Sequence, residues 1–191
     1  MKIYKFRISI IGFPRLYRII EASENCTFDE FHNAIFQAFD RYDYHLYSFF
    51  ITGKDTKNIR SIYNSPEITH PQNVEDTMGF GKRKKSASRT MIGDISLKEQ
   101  GIFHYLFDFG DDWWHRIKVQ NINETISKKK HIKLIKSVGE SPPQYPDCDD
   151  DYDEEYEWKI AVMSLHLTLT GYAGSGRGVR RYVLTCNTEN R

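Results

Sequence analysis

An acidic turn near the middle of the chain carries the side chains with the most chemical potential. It contains Asp108, Asp111 and Asp112 and is followed by Trp113 and His115. Carboxylates and a histidine this close in sequence could bind zinc, manganese or nickel, or could transfer protons. Aspartate and glycine are also the residues that a hairpin turn requires. We favour this second interpretation, in which the aspartates cap turn amides and the histidine is a hydrogen-bonded core residue.

Two further histidines could complete a metal site at this turn. His32 lies at the edge of the apolar stripe of a predicted helix, and His45 begins the next predicted strand. With His115 and Asp108 they would supply the ligands of a catalytic metal ion. These residues are far apart in sequence, so only the fold decides whether they converge. A site of this kind would make the protein a metal-dependent, hydrolase-type enzyme, although the sequence identifies no cofactor and does not establish catalysis.

Arg18 is a further candidate residue for a pocket at this turn, together with the five residues of the turn named above. It lies in a predicted strand between Tyr17 and Ile19. An arginine that points inward needs an anionic partner, because an unpaired buried charge is costly. We predict a salt bridge from Arg18 to Asp108 or Asp111, and the alternative is a pocket for an anionic ligand.

Two basic segments point to nucleic acid as a partner. Clustered lysines and arginines can neutralise phosphates, and Trp114 or exposed tyrosines could stack on bases. Such segments are more often solvated loops, and the net charge of +1 and the acidic segment at 147–157 argue against a strongly basic binding protein. One basic segment covers residues 128–133. The other holds the candidate nucleic-acid contacts Lys82, Arg83, Lys84, Lys85 and Arg89.

The composition favours a soluble domain in a reducing compartment. Of the 191 residues 39% are hydrophobic and 14% aromatic, which is enough to form one core. The sequence contains neither a membrane-length apolar run nor the apolar stretch of a signal peptide. Its three cysteines are odd in number and widely spaced, which argues against disulfides and against a thiolate zinc site. We therefore expect a cytoplasmic protein that does not contact membranes.

The first part of the chain has clear periodic patterns. Apolar residues alternate with polar ones over residues 4–10, and residues 16–22 read as the returning strand of a hairpin. Thr27 and Glu30 form a capping box that begins a helix from Phe28 to Phe39. A third strand is expected at residues 45–51.

Later elements are predicted from shorter signals. Residues 52–90 are polar and rich in turn residues, which predicts a long mobile loop containing a short strand near 59–63. Asp94 as N-cap and Gly101 as the residue after the C-cap predict a helix at 95–100. The remaining expected elements are a hairpin of residues 102–109 and 113–122, a helix at 152–163, and strands at 165–170 and 182–186.

Four motifs in sequence order resemble one known family. They lie at residues 14–20, 27–49, 105–115 and 142–149, and the third, Tyr-x-x-Asp-Phe-Gly-Asp-x-Trp-x-His, is the most distinctive. The chain resembles the ORF-three-like family of the Ri plasmid pRiA4b, some members of which carry a transposon-resolvase label. The resemblance implies an α+β domain often found near mobile elements. Resolvase chemistry does not follow, because the spacing between Tyr4 and Arg7 places these side chains on opposite faces of a strand.

These observations predict an α+β protein. Its antiparallel-rich sheet is built from β-hairpins, with one principal helix packed across it and a long mobile loop. We expect the family domain at residues 1–157 and a C-terminal extension of uncertain structure at 158–191. The predicted function is a non-catalytic binding or interaction domain that presents residues 108–115 and 82–89 to nucleic acid or protein. The alternative is the metal-dependent enzyme described above.

Overall fold

The computed structural model describes residues 1–75 and 84–145. Residues Met1–Gln144 form one compact unit. The predicted elements of the tail, and the predicted domain boundary at residue 157, lie outside the described residues. The strands are β1 (Lys2–Ile10), β2 (Tyr17–Ser23), β3 (Tyr47–Phe50), β4 (Glu67–Thr69), β5 (Lys85–Ser86), β6 (Ile102–Phe107), β7 (Trp113–Glu124) and β8 (Ile132–Val138). The helices are α1 (Phe28–Ala38), α2 (Ile59–Tyr63) and α3 (Pro71–Glu75).

All these strands belong to one sheet with the order β5-β4-β3-β6-β7-β1-β2-β8. Neighbouring strands are antiparallel except for β4 and β5, which are parallel. Every second residue of β1 is buried from Tyr4 to Ile10, so one face of this strand lies against the core. The predicted α+β class with an antiparallel-rich sheet is confirmed.

The long helix α1 packs on the inner face of the sheet. Its capping box is present, because the Glu30 amide donates to Thr27 Oγ1 at 3.1 Å and the Thr27 amide donates to the Glu30 carboxylate at 2.8 Å. Phe31 of the helix packs against Phe6 of β1 with ring centroids 4.7 Å apart. Both rings belong to the larger of the two apolar clusters, which is the main core. Burial of each such ring contributes roughly 1.5–3 kcal/mol.

A short helix covers part of the outer face, where a strand was predicted. Residues 59–63 form α2 because Asn58 accepts a hydrogen bond from the Ser61 amide at 3.1 Å, and because Ile59 and Ile62 then face the sheet together. The prediction of a strand here was wrong. The apolar cluster under α2 consists of Phe50, Ile62, Leu106 and Trp114.

The predicted helix at 95–100 is also absent from the described structure. Asp94 caps the turn before it, accepting from the Met91 amide at 2.8 Å, and residues Ile92–Asp94 form a single turn of 3₁₀ helix. Gln100, rather than Gly101, adopts the left-handed conformation with φ of 63°. Ile95 and Leu97 pack on the main core from this irregular segment, and tertiary burial therefore outweighs the local helix signals.

Two segments expected as loops contain regular structure. In the described part of residues 52–90 the chain forms α2, β4, α3 and β5. The basic segment at 128–133 runs into β8, which pairs with β2 at the edge of the sheet. Cys26 is a buried free thiol. Among the described residues, no helix is both long and apolar enough to cross a membrane.

Candidate functional site

The acidic turn between β6 and β7 is built on Asp108. This residue is buried and has a φ of 59°, a conformation that aspartate tolerates better than most residues. Its Oδ1 accepts from the Gly110 amide at 2.9 Å, and its carbonyl accepts from the Asp112 amide at 2.8 Å. The Asp108 side chain therefore holds the turn through the backbone.

The other carboxylates of the turn are exposed and influence one another. Partial burial, and then the charge of Asp108, raise the pKa of Asp111 and of Asp112. His45 Nε2 lies 3.5 Å from Asp108 Oδ2 and 3.5 Å from Asp43 Oδ2, which are ion-pair distances. In residues 1–75 and 84–145, no three His, Cys, Asp or Glu side chains are grouped so that they could hold a metal ion.

His115 lies inside the core beside the turn. Its Nδ1 is 2.8 Å from the Trp113 carbonyl, and its ring contacts Phe39 and Tyr105 with centroids 5.1 Å away in each case. Burial, and then the positive charge of Arg41, lower the pKa of His115 to about 3. The imidazole is therefore neutral at physiological pH.

His32 occupies a second buried position, which is separate from His45. Its Nδ1 is 2.7 Å from the Tyr105 hydroxyl, and its ring stacks on Tyr47 at 3.7 Å. Burial lowers the pKa of His32 to about 3, with smaller contributions from other histidines. The structure thus brings His32 and His115 together around Tyr105 and pairs His45 with the acidic turn. The four proposed metal ligands fall into two groups.

Arg18 is buried, as predicted, but its hydrogen-bond partners are not the turn carboxylates. Its Nε donates to the Ala38 carbonyl at 2.6 Å, at the end of α1 where carbonyls lack helical partners. Its Nη1 donates to the carbonyls of Val138 and Gly139 at 3.0 Å each, and its Nη2 donates to Ser141 Oγ at 2.9 Å. Arg18 therefore ties the segment after β8 to the end of α1, in place of the predicted salt bridge.

A second buried arginine was not predicted from the sequence. The Arg41 guanidinium lies 3.9 Å from the ring centre of Trp113 and donates to the Pro142 carbonyl at 3.0 Å. Burial lowers its pKa to about 10. Arg41 Nε and Nη2 and Trp113 Nε1 are buried without a hydrogen-bond partner among the described residues. Little in the sequence indicated that Arg41 is buried, because this residue follows the helix in a polar turn.

The predicted nucleic-acid segments are only partly available for binding. Lys84 Nζ lies 3.5 Å from the Glu67 carboxylate, Arg89 is exposed, and Lys82 and Arg83 lie outside the described residues. In the second basic segment Lys130 forms an ion pair with Glu30 at 2.8 Å. The predicted stacking residue Trp114 is buried under α2 and cannot stack on a base.

The strand order creates a different basic surface, on the outer side of β7, β1, β2 and β8. Arg7 is the cross-strand partner of Lys118 and Ile19, and Ile19 is the partner of Lys136. Cross-strand partners point to the same side of a sheet. We call this surface the basic face. Its residues are Lys5, Arg7, Tyr17, Ile19, Arg116, Lys118, Lys133 and Lys136, together with one acidic residue, Glu21, which is the cross-strand partner of Lys5 and Lys133.

The cations of the basic face differ in whether a carboxylate compensates them. Arg116 forms a bidentate pair with Asp55, and Lys5 lies 3.3 Å from Glu21. Within the part of the chain that the structure describes, the ion pairs do not include Arg7, Lys118 or Lys136. Lys136 is exposed, and Arg7 and Lys118 are half-buried. Three positive charges therefore lie in one row across four strands.

An aromatic ring lies within this row of charges. The Arg7 guanidinium stacks on the Tyr17 ring at 3.9 Å from its centre, and Lys136 Nζ lies 6.0 Å from the same centre. A cation over the face of an aromatic ring is attracted by the ring quadrupole. The Tyr17 ring therefore places an aromatic surface among the positive charges of the basic face. Alternation in β1 signals an outward Arg7, but the strand order is needed to see its neighbours.

The fold and its surface features define a class of protein. It is an α+β domain with one long helix on the inner face of the sheet and a basic outer face. The chain belongs to the family described as plasmid pRiA4b ORF-3-like protein, whose model matches residues 2–161. The predicted family membership is confirmed, and the family's function is uncharacterised.

One solved structure that the chain resembles is also without a known function. It is the crystal structure of the protein of unknown function MM3350 from Methanosarcina mazei Go1, with a TM-score of 0.57 and 23% sequence identity. The similarity covers 84% of this chain and 89% of that chain. At this level of identity it shows the fold alone. No curated protein matches the chain significantly.

Proposed function

We propose that this protein is a non-catalytic binding domain whose basic face binds single-stranded nucleic acid. The observation that carries the proposal is the row of Lys118, Arg7 and Lys136. Arg7 pairs directly with Lys118, and Ile19 lies between Arg7 and Lys136 in the same row. Adjacent strands lie about 4.8 Å apart, so the row extends over about 14 Å. A phosphate backbone laid across the strands would meet several of these charges and release its counterions.

The shape of the surface favours a single strand over a duplex. The grooves of B-form DNA admit a helix or a two-stranded ribbon, whereas the basic face is the broad side of a sheet. The bases of a single strand are free to stack on aromatic rings or on a guanidinium plane. Tyr17, whose ring centre lies 3.9 Å from the Arg7 guanidinium, supplies an aromatic ring beside the phosphate-binding charges. The plasmid name of the family is compatible with a nucleic-acid partner.

The test measures binding of a fluorescently labelled oligothymidylate by anisotropy over a range of salt concentrations. We expect the triple variant Arg7→Gln, Lys118→Gln, Lys136→Gln to bind more weakly and to show a shallower salt dependence. Loss of three phosphate contacts should reduce the slope of log K against log salt by about 2. The control removes the same charge from exposed loop positions and carries Lys98→Gln, Lys128→Gln and Lys129→Gln.

Two results would contradict the proposal. The wild-type protein could fail to bind the oligonucleotide even at low salt, in which case the function is wrong. Alternatively, the control triple could weaken binding as much as the triple on the basic face, which would attribute binding to overall charge or to the 128–130 loop. Circular dichroism of all three proteins verifies that the folds are equivalent.

The metal-dependent enzyme receives less support from the described residues. His115 and His32 are buried, and their Nδ1 atoms lie 2.8 Å from the Trp113 carbonyl and 2.7 Å from the Tyr105 hydroxyl, respectively. His45 pairs with carboxylates at 3.5 Å. Because these groups already have protein partners, the geometry favours a structural role for the 108–115 turn. Elemental analysis of the purified protein tests this alternative directly.

A further inference from the structure

A cavity of about 270 Å³ lies on the outer side of the sheet near α2. Aromatic rings from three different elements form its apolar walls. Phe50 comes from β3, Tyr63 from the end of α2, and Phe109 from the acidic turn. Phe109 is 39% exposed and Tyr63 is 49% exposed, so the rings are accessible from solvent. The cavity has the aromatic lining that is typical of sites for small flat molecules.

The remaining wall is polar and already ordered. Lys84 Nζ lies 3.5 Å from Glu67 Oε1 and donates to Asn73 Oδ1 at 3.4 Å. Glu67 Oε1 also accepts from Ser48 Oγ at 2.8 Å, and Asn73 Nδ2 donates to Thr69 Oγ1 at 2.8 Å. An ammonium has three donors and a carboxylate has two acceptor oxygens, so both groups retain bonding capacity. The wall therefore offers a donor and an acceptor side by side.

We propose that this cavity accepts one unstacked nucleobase of the bound strand. Every nucleobase combines a flat π-face with an edge on which hydrogen-bond donors and acceptors alternate. The rings of Tyr63 and Phe109 match the flat face, and Lys84 with Glu67 match the edge. The inference rests on the proposed function and deepens it, because it assigns base contacts to the cavity and phosphate contacts to the basic face.

The cavity and the basic face belong to the same side of one sheet. Cross-strand pairing connects Phe50 to His104, His104 to Arg116, Arg116 to Ser9, and Ser9 to Tyr17. Four strand spacings of about 4.8 Å place Phe50 roughly 19 Å from Tyr17. A strand of a few nucleotides that crosses the basic face can therefore reach the cavity with one of its bases.

The experiment compares a labelled oligothymidylate with an abasic strand of equal length and equal charge. We expect wild-type protein to bind the base-containing strand more tightly. Phe109→Ala should weaken binding of that strand by about tenfold, since one base–aromatic stack is lost, and should leave the abasic strand unaffected. The triple variant of the basic face should weaken both strands. Tyr42→Ala, which removes a ring that is 67% exposed outside the cavity, is the matched control.

A second measurement tests the cavity without the basic face. Adenosine carries a base but no phosphate, and we titrate it into isotope-labelled protein while recording amide NMR spectra. The amides of Phe109 and Gly110 should shift in wild-type protein and should not shift in a Lys84→Gln, Tyr63→Ala variant.

The outcomes separate the two proposals. If Phe109→Ala leaves the ratio of affinities for the two strands unchanged, and adenosine does not perturb the turn, the cavity inference is overturned while the basic face stands. If neither strand binds but adenosine shifts the turn amides, the proposed function fails and the cavity remains a base site. If neither strand nor adenosine binds, both proposals are overturned.

Discussion

The imidazole of His32 and the hydroxyl of Tyr105 share a buried hydrogen bond of 2.7 Å between α1 and β6. The ring of His115 also packs against Tyr105, with ring centroids 5.1 Å apart. Two neutral histidines are therefore enclosed with a tyrosine where the helix meets the sheet. Because a histidine gains a proton when it is exposed to acidic water, this arrangement makes folding dependent on pH.

Acid should destabilise the protein in a defined range. The pKa of His32 and of His115 falls from 6.5 in the unfolded chain to about 3 in the folded chain. Between these values the unfolded state binds more protons, so the free energy of unfolding decreases as the pH falls from 6.5 towards 3. Two such groups give a slope of up to about 2.7 kcal/mol per pH unit. His104, whose pKa is also lowered by burial, acts in the same direction.

Urea unfolding at a series of pH values measures this dependence. A variant with His32→Asn and His115→Asn should be less stable at neutral pH and should show a smaller slope in the same range. An unfolding free energy that stays constant in wild-type protein as the solution is acidified below pH 6.5 would show that the histidines are not buried as described.

Replacement of Arg18 should strongly destabilise the fold. Arg18→Met leaves the buried carbonyl of Ala38 and the partly buried carbonyls of Val138 and Gly139 without their donor. We expect a loss of about 3 kcal/mol in the free energy of unfolding, measured by urea titration. Arg15→Met changes an exposed arginine nearby in sequence and should cost far less. Equal losses in the two variants would refute the role assigned to Arg18.

The acidic turn should depend on the shape of Asp108 more than on its charge. Asp108→Ala removes the acceptor of the Gly110 amide and places alanine at a φ of 59°, so we expect a loss of about 2 kcal/mol in thermal or urea unfolding. Asp108→Asn keeps an acceptor and tolerates this conformation, and it should retain most of the stability. If Asn is as damaging as Ala, the charge opposite His45 is the important property.

The capping box should contribute to stability through one hydroxyl. Thr27→Ala removes the acceptor of the Glu30 amide and should cost about 1 kcal/mol in urea unfolding. Ser96→Ala, at an exposed position without this role, is the control and should have little effect. A neutral Thr27→Ala variant would mean that packing alone holds the start of α1.

Metal analysis distinguishes the two functional hypotheses. We expect protein purified without chelator to contain no stoichiometric zinc, manganese or nickel that depends on His115, because its buried ring has backbone hydrogen bonds to both Trp113 and Tyr105 and has no further ligand side chains grouped with it among the described residues. Elemental mass spectrometry of wild type and His115→Ala tests this expectation. A stoichiometric ion that disappears in His115→Ala would support the metal-dependent enzyme and redirect attention to hydrolase assays.

Local signals in the sequence predicted the parts of the fold that are stabilised locally. The capping box at Thr27 and Glu30 began a helix, and the alternation in residues 4–10 formed a strand, because both depend on neighbours within a few residues. The aspartates around Gly110 likewise made the turn that such residues favour. The α+β class followed from these elements, and four ordered motifs pointed to the correct family.

Other elements depended on contacts that are distant in sequence. Residues 59–63 became a helix because an apolar cluster from β3, β6 and β7 was available to cover. Arg18 lies between the end of α1 and the end of β8. Its guanidinium therefore donates to backbone carbonyls there and not to the carboxylates of the acidic turn. Local propensity contains no information on the contacts of α2 or of Arg18, since the partner residues belong to distant parts of the chain.

The sequence by itself determined which residues face inward along β1 and α1, because side-chain direction has the period of the local backbone. It also determined that aspartate would accept hydrogen bonds from backbone amides in the turn at residues 108–112. Only the tertiary structure decided that Lys118, Arg7 and Lys136 share one row, and that Phe109 completes a cavity with rings from β3 and α2. These groupings depend on strand order, which is chosen by the burial of the whole core and not by any single segment.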